Sequence, residues 1–444
     1  MQVAGAVVRQ WAKNAYRCQF DLAGLTNRGS CGTLWSGSVF RSEKGTKMVM
    51  SFLDNDTYKF SMCQAILHGE HLGIKLADRE VTYRLIFRDP IDINLEFCNE
   101  ISDHINRMAD LRLTPREVSF LRTKCRFLDP HFIDILSAYR FDPGEVEECG
   151  VGNDGSLRLS VSGPWWRTVL WEVPLMAIIS ETYFSMRGLK PDAEWRDRLK
   201  EKAELFDKNN VSLVDFGTRR RFSYDVHDEV ITMLMKNMKP KNLVGTSNLH
   251  FAHKYNLRPI GTHAHEWFMG IGALFGYKIA NRLALTLWKQ EFGSDLSIAL
   301  SDTFTSDVFL RDFDRHMADS FQGVRQDSGE PTTFANKMIS HYIWLGIDPK
   351  TKTIVFSDGL TTKMAKFLND AYSGLIGCMF GIGTHLTNDC GHKPLNMVIK
   401  LMEIADLNEK AIPCIKLSDS VGKYTGDTDE VQLCRQVLRI RGQT

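Results

Sequence analysis

None of the ten cysteines forms a C-x-x-C pair; they are scattered at positions 18, 31, 63, 98, 125, 149, 378, 390, 414 and 434. That scatter argues against a zinc site and against a disulfide framework, so a reducing, cytoplasmic setting is expected. No apolar run approaches the roughly 20 residues that a membrane-spanning helix needs. Charge of one sign is equally scarce, since 55 Lys and Arg face 54 Asp and Glu for a formal net charge of +1. Such a balance gives no sign of a nucleic-acid or membrane partner. A small anionic ligand remains open, because a local cluster binds one whatever the net charge. What is present is ordinary for a globular protein: 43% hydrophobic and 25% charged residues. A chain of 444 residues exceeds one ordinary domain and suits two, one of them a barrel.

Acids are also scarce in the first fifty positions. Only Asp21 and Glu43 offset Arg9, Lys13, Arg17, Arg28, Arg41, Lys44 and Lys47. An acid-poor, basic leader can be a transit peptide. A start upstream of Met48 or Met50, or a cloning remnant, accounts for it equally well. Residues 1–50 are therefore set apart as an extension of unknown role.

From Ser51 to about Glu181 the pattern is that of an α/β domain. Asp56-Thr57 suits a helix start. Val81, Tyr83, Leu85 and Phe87 alternate with polar residues, as on a strand buried on one face, and Leu157, Leu159 and Val161 repeat the pattern. Trp171 to Ile179 reads as a buried helix. From about Val211 short apolar runs recur, each ending in a polar turn and followed by a helical stretch. The runs are Leu213-Val214, Leu243-Val244, Pro259-Ile260, Ile298 to Leu300, Gly323-Val324, Ile354 to Phe356 and Ile376 to Phe380. Repeated βα units imply a parallel sheet with helical cover. A TIM-like barrel is the natural closure, with an open doubly wound sheet as the alternative. The tail returns to β character at Met397 to Leu401 and Ala411 to Leu417, placed to pack back on the first domain. The expected division is 51–181 with about 393–444 as an α/β sandwich, and 182–392 as an irregular barrel carrying the site.

The turns hold the chemistry. Gly381-Ile382-Gly383-Thr384, Ser357-Asp358-Gly359 and Gly217 to Arg221 each follow a strand and each suits a phosphate. Singly, a G-x-G-T turn is more often only a turn and an Arg triplet a solvated face. Their equivalent placement on separate strands points to one shared anionic ligand. Asp302 and Asp327 end two further strands, where a carboxylate binds ribose hydroxyls or Mg²⁺, or merely caps a helix. His263 and His265 lie two apart without a third ligand at metal spacing. A histidine at a barrel-strand end, beside an acid, is a candidate nucleophile or base.

In this order the turns resemble the nicotinate phosphoribosyltransferases. The matching segments include LDNDTYKFSM at 53–62, SGPWWRTVLWEVPL at 162–175, DFGTRRRFS at 215–223 and GTHAHEWF at 261–268. They continue with LSDTFTSDVFLRDF at 300–313, GVRQDSG at 323–329, VFSDG at 355–359, FGIGTHLTND at 380–389 and KLSDSVGK at 416–423. The resemblance runs from about Ser51 to the end and implies a type II phosphoribosyltransferase fold. It implies ATP-coupled transfer of phosphoribosyl from 5-phosphoribosyl 1-pyrophosphate to nicotinate, with Mg²⁺, in a homodimer with shared sites. His265 matches the histidine that ATP phosphorylates. Tyr58, reaching in from a partner subunit, and Phe216 match the aromatic pair around the pyridine ring. Thr262 and Arg325 match nicotinate contacts. Arg219, Ser357, Asp358, Gly383 and Thr384 match phosphate-binding positions. Asp302 and Asp327 match acids near the ribose and metal, with Asp302 the metal candidate, and Lys423 closes the site from above. Val421 departs from the pattern, where many members carry Pro.

Rival readings differ in pocket charge. A nicotinamide enzyme would favour a carboxylate acceptor, but the turn Gly245-Thr246-Ser247-Asn248 carries no acid. A quinolinate enzyme would need a denser basic cluster. A non-catalytic phosphate sensor would keep the cradles without needing His265.

Overall fold

Strand-forming segments sort into two sheets by how their residues alternate between core and surface. The computed structural model describes residues 48–69, 75–152, 155–420 and 422–440, so residues 1–47 and Val421 lie outside the described part. In chain order the strands are β1 (Glu80–Phe87), β2 (Val146–Val151), β3 (Leu157–Pro164), β4 (Leu213–Asp215), β5 (Leu243–Thr246), β6 (Ile298–Leu300), β7 (Gly323–Gln326), β8 (Thr353–Phe356), β9 (Gly377–Ile382), β10 (Met397–Ala405) and β11 (Ala411–Pro413).

The first sheet is antiparallel, ordered β11-β10-β1-β3-β2. Val81, Tyr83 and Leu85 of β1 are buried while Arg84 is exposed, the alternation expected of a one-faced strand. Tyr83 pairs with Leu401 and Leu85 with Ile399, so the tail does return to the first domain. The helix Glu172–Met186 is apolar almost all round and buried accordingly. Asp56 precedes the helix Thr57–His68 as expected, but its side chain makes no cap bond. Its carboxylate instead accepts from Thr218 Oγ1 (2.8 Å) and Ser247 Oγ (2.9 Å), fastening the helix start to the second sheet.

The second sheet is parallel, ordered β5-β4-β9-β8-β7-β6. Of the seven apolar runs, Pro259-Ile260 forms only a single parallel bridge, to Thr246. Thr246 N donates to Arg258 O (3.2 Å) and Ile260 N donates to Thr246 O (2.9 Å). So close an approach requires Gly245, where a Cβ would lie 2.1 Å from Arg258 O. On its far side this segment meets β6 through a side chain: Leu300 N donates to His263 Nε2 (3.1 Å). The imidazole takes the place of a ladder carbonyl, and the barrel closes through an irregular seventh stave. Sequence periodicity did not reveal β2, the helices between Leu95 and Ala138, or the helix Thr428–Leu438.

Candidate active site

The barrel's polar turns open on two cavities that share Arg219. The outer cavity is lined by His265, Asp327, Ser357, Asp358, Lys416 and Lys423, with Arg219 on its wall. The inner cavity enters the barrel and is lined by Tyr58, Phe216, Thr262 and Arg325, again with Arg219. Residues that the sequence placed at separate strand ends therefore converge, as barrel geometry requires.

His265 begins the helix His265–Phe275, whose N-cap Ala264 has no side chain to satisfy the first turn. Its Nε2 lies 2.8 Å from Lys416 Nζ, and in the tautomer protonated at Nδ1 it accepts from that ammonium. Nδ1 lies 3.0 Å from Thr303 Oγ1 and is left to carry the proton of the neutral ring. Asp327 Oδ2 stands 3.0 Å from Nε2 and Asp302 Oδ1 stands 3.8 Å from it. Burial first, then the Lys416 charge, hold the imidazole below its ordinary pKa against the pull of both acids. Burial and Lys416 thus favour the neutral ring, and in the tautomer protonated at Nδ1 its Nε2 lone pair faces the Lys416 ammonium.

His263 is a different residue in every respect. It is fully buried, its ring lies 4.6 Å from Trp288 and 5.1 Å from Phe268, and burial drives its pKa down to about 3. The helix begins at His265 rather than continuing a strand, so the two rings part company.

The acids are tethered. Asp327 Oδ1 pairs with Arg325 Nη2 (3.0 Å) and lies 2.8 Å from Ser357 Oγ. Burial alone would raise its pKa, but the Arg325 charge, with that of Lys416, holds it well below the usual carboxylate range. Ser357 Oγ also accepts from Arg325 Nε (2.9 Å), and the guanidinium sits 5.9 Å from the Phe216 ring centroid. Asp302 is 1% exposed and lies beneath His265 rather than on the cavity wall. Its Oδ2 accepts from Ser328 Oγ (2.5 Å) and lies 3.5 Å from Lys416, while its buried Oδ1 has no hydrogen-bond partner. Lys423 approaches Asp358 at 3.9 Å. Gly383 and Thr384 line neither cavity; a Cβ at Gly383 would lie 2.8 Å from Phe216 O, so that glycine serves close packing.

Tyr58 corrects an expectation. The resemblance implied that it reaches in from a partner subunit, yet the chain's own Tyr58 lines the inner cavity. The Asp56 contacts described above and Thr57 N donating to Ser247 O (2.7 Å) hold it on its own barrel. Its hydroxyl donates to Glu172 Oε2 (3.4 Å), which also meets Lys59 Nζ (2.5 Å), while Glu172 Oε1 takes Arg219 Nη1 (3.2 Å). Lys59 is fully buried and is bonded to Glu266 as well. Sequence reasoning missed this ionic knot and missed Lys416; each joins segments far apart in the chain, and none has a local signature. It also missed that Asp56 brings a carboxylate to the inner cavity, although the turn 245–248 lacks one.

Among the described residues no group of three or more His, Cys, Asp or Glu is arranged to hold a metal. Asp302 Oδ1 is a buried oxygen without a hydrogen-bond partner, the one feature of these acids that suits a cation ligand.

The profile of the nicotinate phosphoribosyltransferase family matches residues 211–441, and that of its N-terminal domain matches residues 53–180. A nicotinate phosphoribosyltransferase of Chromohalobacter salexigens is 44% identical over 395 residues, covering 88% of this chain and 99% of its own. One of Methanosarcina mazei is 39% identical, covering 89% of this chain and 99% of its own. The crystal structure of a nicotinate phosphoribosyltransferase from Porphyromonas gingivalis superposes with a TM-score of 0.84 at 39% identity, over 88% of this chain and 99% of that one.

Proposed function

The chain belongs to the nicotinate phosphoribosyltransferase family, and from that membership we propose how its residues divide the work. The reaction is transfer of phosphoribosyl from 5-phosphoribosyl 1-pyrophosphate to nicotinate, giving nicotinate mononucleotide and pyrophosphate, with ATP as co-substrate, in NAD biosynthesis.

One observation carries the assignment of His265: a neutral imidazole whose Nε2 lone pair is held at a cationic cavity wall by Lys416. In this reading Nε2 attacks the γ-phosphorus of ATP, forming the N–P bond as the bond to the ADP oxygen breaks. Lys416 is displaced from the lone pair and meets the incoming phosphoryl charge, and the uncapped helix start favours that charge as well. Water later cleaves the phosphoramidate, releasing phosphate and coupling hydrolysis to substrate affinity.

In the inner cavity Tyr58 and Phe216 set the plane of the pyridine ring and Thr262 borders it. Arg325, oriented by Asp327 and Ser357, pairs with the nicotinate carboxylate. The ring nitrogen is already nucleophilic, so positioning provides most of the acceleration. Arg219, Ser357 and Asp358, with Gly383 and Thr384 behind them, receive the sugar donor's phosphates, and Lys423 covers them. Asp302 would be the Mg²⁺ ligand, with Asp327 near the ribose; such an ion would neutralise charge on the leaving pyrophosphate.

The proposed assembly is a homodimer, now without Tyr58 crossing between subunits. Exposed Ile343 and Trp344 offer apolar surface for such a contact. The proposed cytoplasmic setting rests on cysteine usage, the eight described cysteines being free. Among the described residues no helix is long and apolar enough to cross a membrane. The division into 51–181 with 393–444 and 182–392 is supported by strand origins: antiparallel strands come from 80–164 and 397–413, parallel ones from 213–382.

The discriminating experiment measures ATP-dependent pyrophosphate release with nicotinate, nicotinamide and quinolinate. Release with nicotinate far above the other two is expected; preference for either rival would overturn the assignment of Arg325 as a single-carboxylate partner.

A further inference from the structure

Lys59 is a cation closed off from solvent. It lies on the helix Thr57–His68 with a 0% exposed side chain, its Nζ 5.4 Å from the centroid of the Tyr58 ring and 5.8 Å from that of Tyr83. Two carboxylates share this ammonium, Glu172 at 2.5 Å through Oε2 and Glu266 through Oε1. Burial alone would lower its pKa, but Glu172 and Glu266 outweigh burial and raise it, so the nitrogen stays charged. Lys59 lines neither cavity, and no step of the proposed reaction uses it.

The two carboxylates differ in what else they meet. Glu172 begins the helix Glu172–Met186, and its Oε1 lies 3.2 Å from Arg219 Nη1. Glu266 lies in the first turn of the helix His265–Phe275, and among the described residues Lys59 is its only ion-pair partner. Burial would raise Glu172, but Lys59 and then Arg219 bring it below its ordinary pKa. Burial also raises Glu266, and there the Lys59 charge does not offset it. A chain of contacts thus runs from the helix that begins at His265, through one ammonium, to the turn that carries Arg219.

Within this knot two cations face two anions, so what can change is how the charge is divided. Charge that Lys59 gives to Glu266 is withheld from Glu172, and Glu172 then draws harder on Arg219. Arg219 is the member open to a ligand: its side chain is 38% exposed, against 10% for Glu172 and 8% for Glu266, and it lines both cavities. A guanidinium held by Glu172 has fewer N–H groups and less charge left for an anionic substrate.

We propose that Lys59 is a positioning residue: by dividing its charge between Glu266 and Glu172 it sets how firmly Glu172 holds Arg219, and so how freely Arg219 meets the sugar donor. This role rests on the reading of Arg219 as a contact for phosphoribosyl pyrophosphate.

Calorimetric titration of the full chain with phosphoribosyl pyrophosphate, without nicotinate or ATP, tests it for the parent, Glu266→Gln, Arg219→Met and those two changes combined. Glu266→Gln keeps the side chain's shape and leaves Lys59 to Glu172, so the donor should bind about threefold more tightly, the scale of a partly exposed ion pair. In the Arg219→Met background the same change should have no effect, because the effect passes through that guanidinium. A general gain in positive charge would instead tighten binding equally in both backgrounds. Lys59→Met with Glu266→Gln leaves the net charge of the parent, and should act in the opposite sense, weakening the donor about threefold. Circular dichroism melting checks folding; Glu266→Gln with and without Arg219→Met carries the test should the Lys59 variant fail to fold. Equal tightening in both backgrounds, unchanged or weakened donor binding in folded Glu266→Gln, or parent-like binding in folded Lys59→Met with Glu266→Gln overturns the role of Lys59. A parent that does not bind phosphoribosyl pyrophosphate is a distinct result, read on the parent alone; it overturns the reading of Arg219, and the role of Lys59 with it.

Discussion

Asp54→Asn removes one charge from an ion pair that is wholly inside the protein. Arg221 and Asp54 both have 0% exposed side chains and meet in a fork, Nη1 to Oδ1 and Nη2 to Oδ2, each at 2.9 Å. Arg221 Nη2 also donates to Met48 O (2.6 Å), and Asn248 Nδ2 donates to Asp54 Oδ1 (2.8 Å). The pair thus ties the segment before the helix Thr57–His68 to the turn that carries Arg219 and Arg220. Burial alone would raise the Asp54 pKa, but Arg221 outweighs it and brings the carboxyl from 3.8 to about 2. At about 1.4 kcal/mol per unit, ionisation accounts for ~2 kcal/mol of stability. Leaving the guanidinium buried without its partner raises the total loss to ~3–5 kcal/mol. For a unit of this size that corresponds to a melting point lower by roughly 4–6 °C at pH 7. Because the folded pKa is depressed, this stability is present above the ordinary carboxylate value and is lost as pH falls toward about 2. The gap between parent and variant in a thermal melt should therefore narrow over that range. Replacing both partners, Asp54→Leu with Arg221→Met, should recover more than half of the loss. A variant melting within about 1 °C of the parent at pH 7, well inside the shift expected from these magnitudes, would refute the reasoning.

Three further outcomes follow from the same geometry. His263→Ala should lower the melting point by the equivalent of ~1–3 kcal/mol, the cost of orphaning the Leu300 N–H, yet retain ATP-dependent labelling; lost labelling with an unchanged melt would contradict its role as a barrel stave. Arg325→Ala should raise the nicotinate KM about a hundredfold or more, from the ~3–5 kcal/mol of an orphaned charge, with a far smaller change for phosphoribosyl pyrophosphate; Arg325→Lys should not rescue it, and an unchanged nicotinate KM would remove Arg325 from the carboxylate. Deleting residues 1–47 should leave turnover intact, whereas deleting 1–50 should cost thermal stability, because Met48 and Val49 are buried and Met48 O accepts from Arg221; inactivity of the shorter deletion in folded protein would show that the leader matters.

Local pattern was enough wherever one residue's neighbours in sequence are also its neighbours in space. Val81, Tyr83 and Leu85 announce β1, and Ile354 to Phe356 announce β8, because a strand's burial period is written along it. Pro259-Ile260 read as a strand for the same reason, but proline gives no N–H, and the stave closes through the His263 ring instead of a ladder. The site's turns were legible as turns, and their ordered set identified the family. Their wiring was not legible. Lys416 reaches His265 across 151 positions, and Lys59 meets Glu172 and Glu266 across 113 and 207. Such ion pairs depend on tertiary packing alone. Asp56 shows the converse: a helix-capping residue by position, whose carboxylate the barrel uses elsewhere.

The central claim is that His265 Nε2 accepts a phosphoryl group from ATP, and mass-spectrometric mapping of the phosphorylated chain tests it most directly. Incubation with ATP should place an acid-labile, base-stable group on His265, with His263 unlabelled. His265→Ala should stay folded, lose both label and ATP hydrolysis, and retain at most slow transfer to nicotinate. Label on His263, or normal ATP coupling in His265→Ala, would contradict the account.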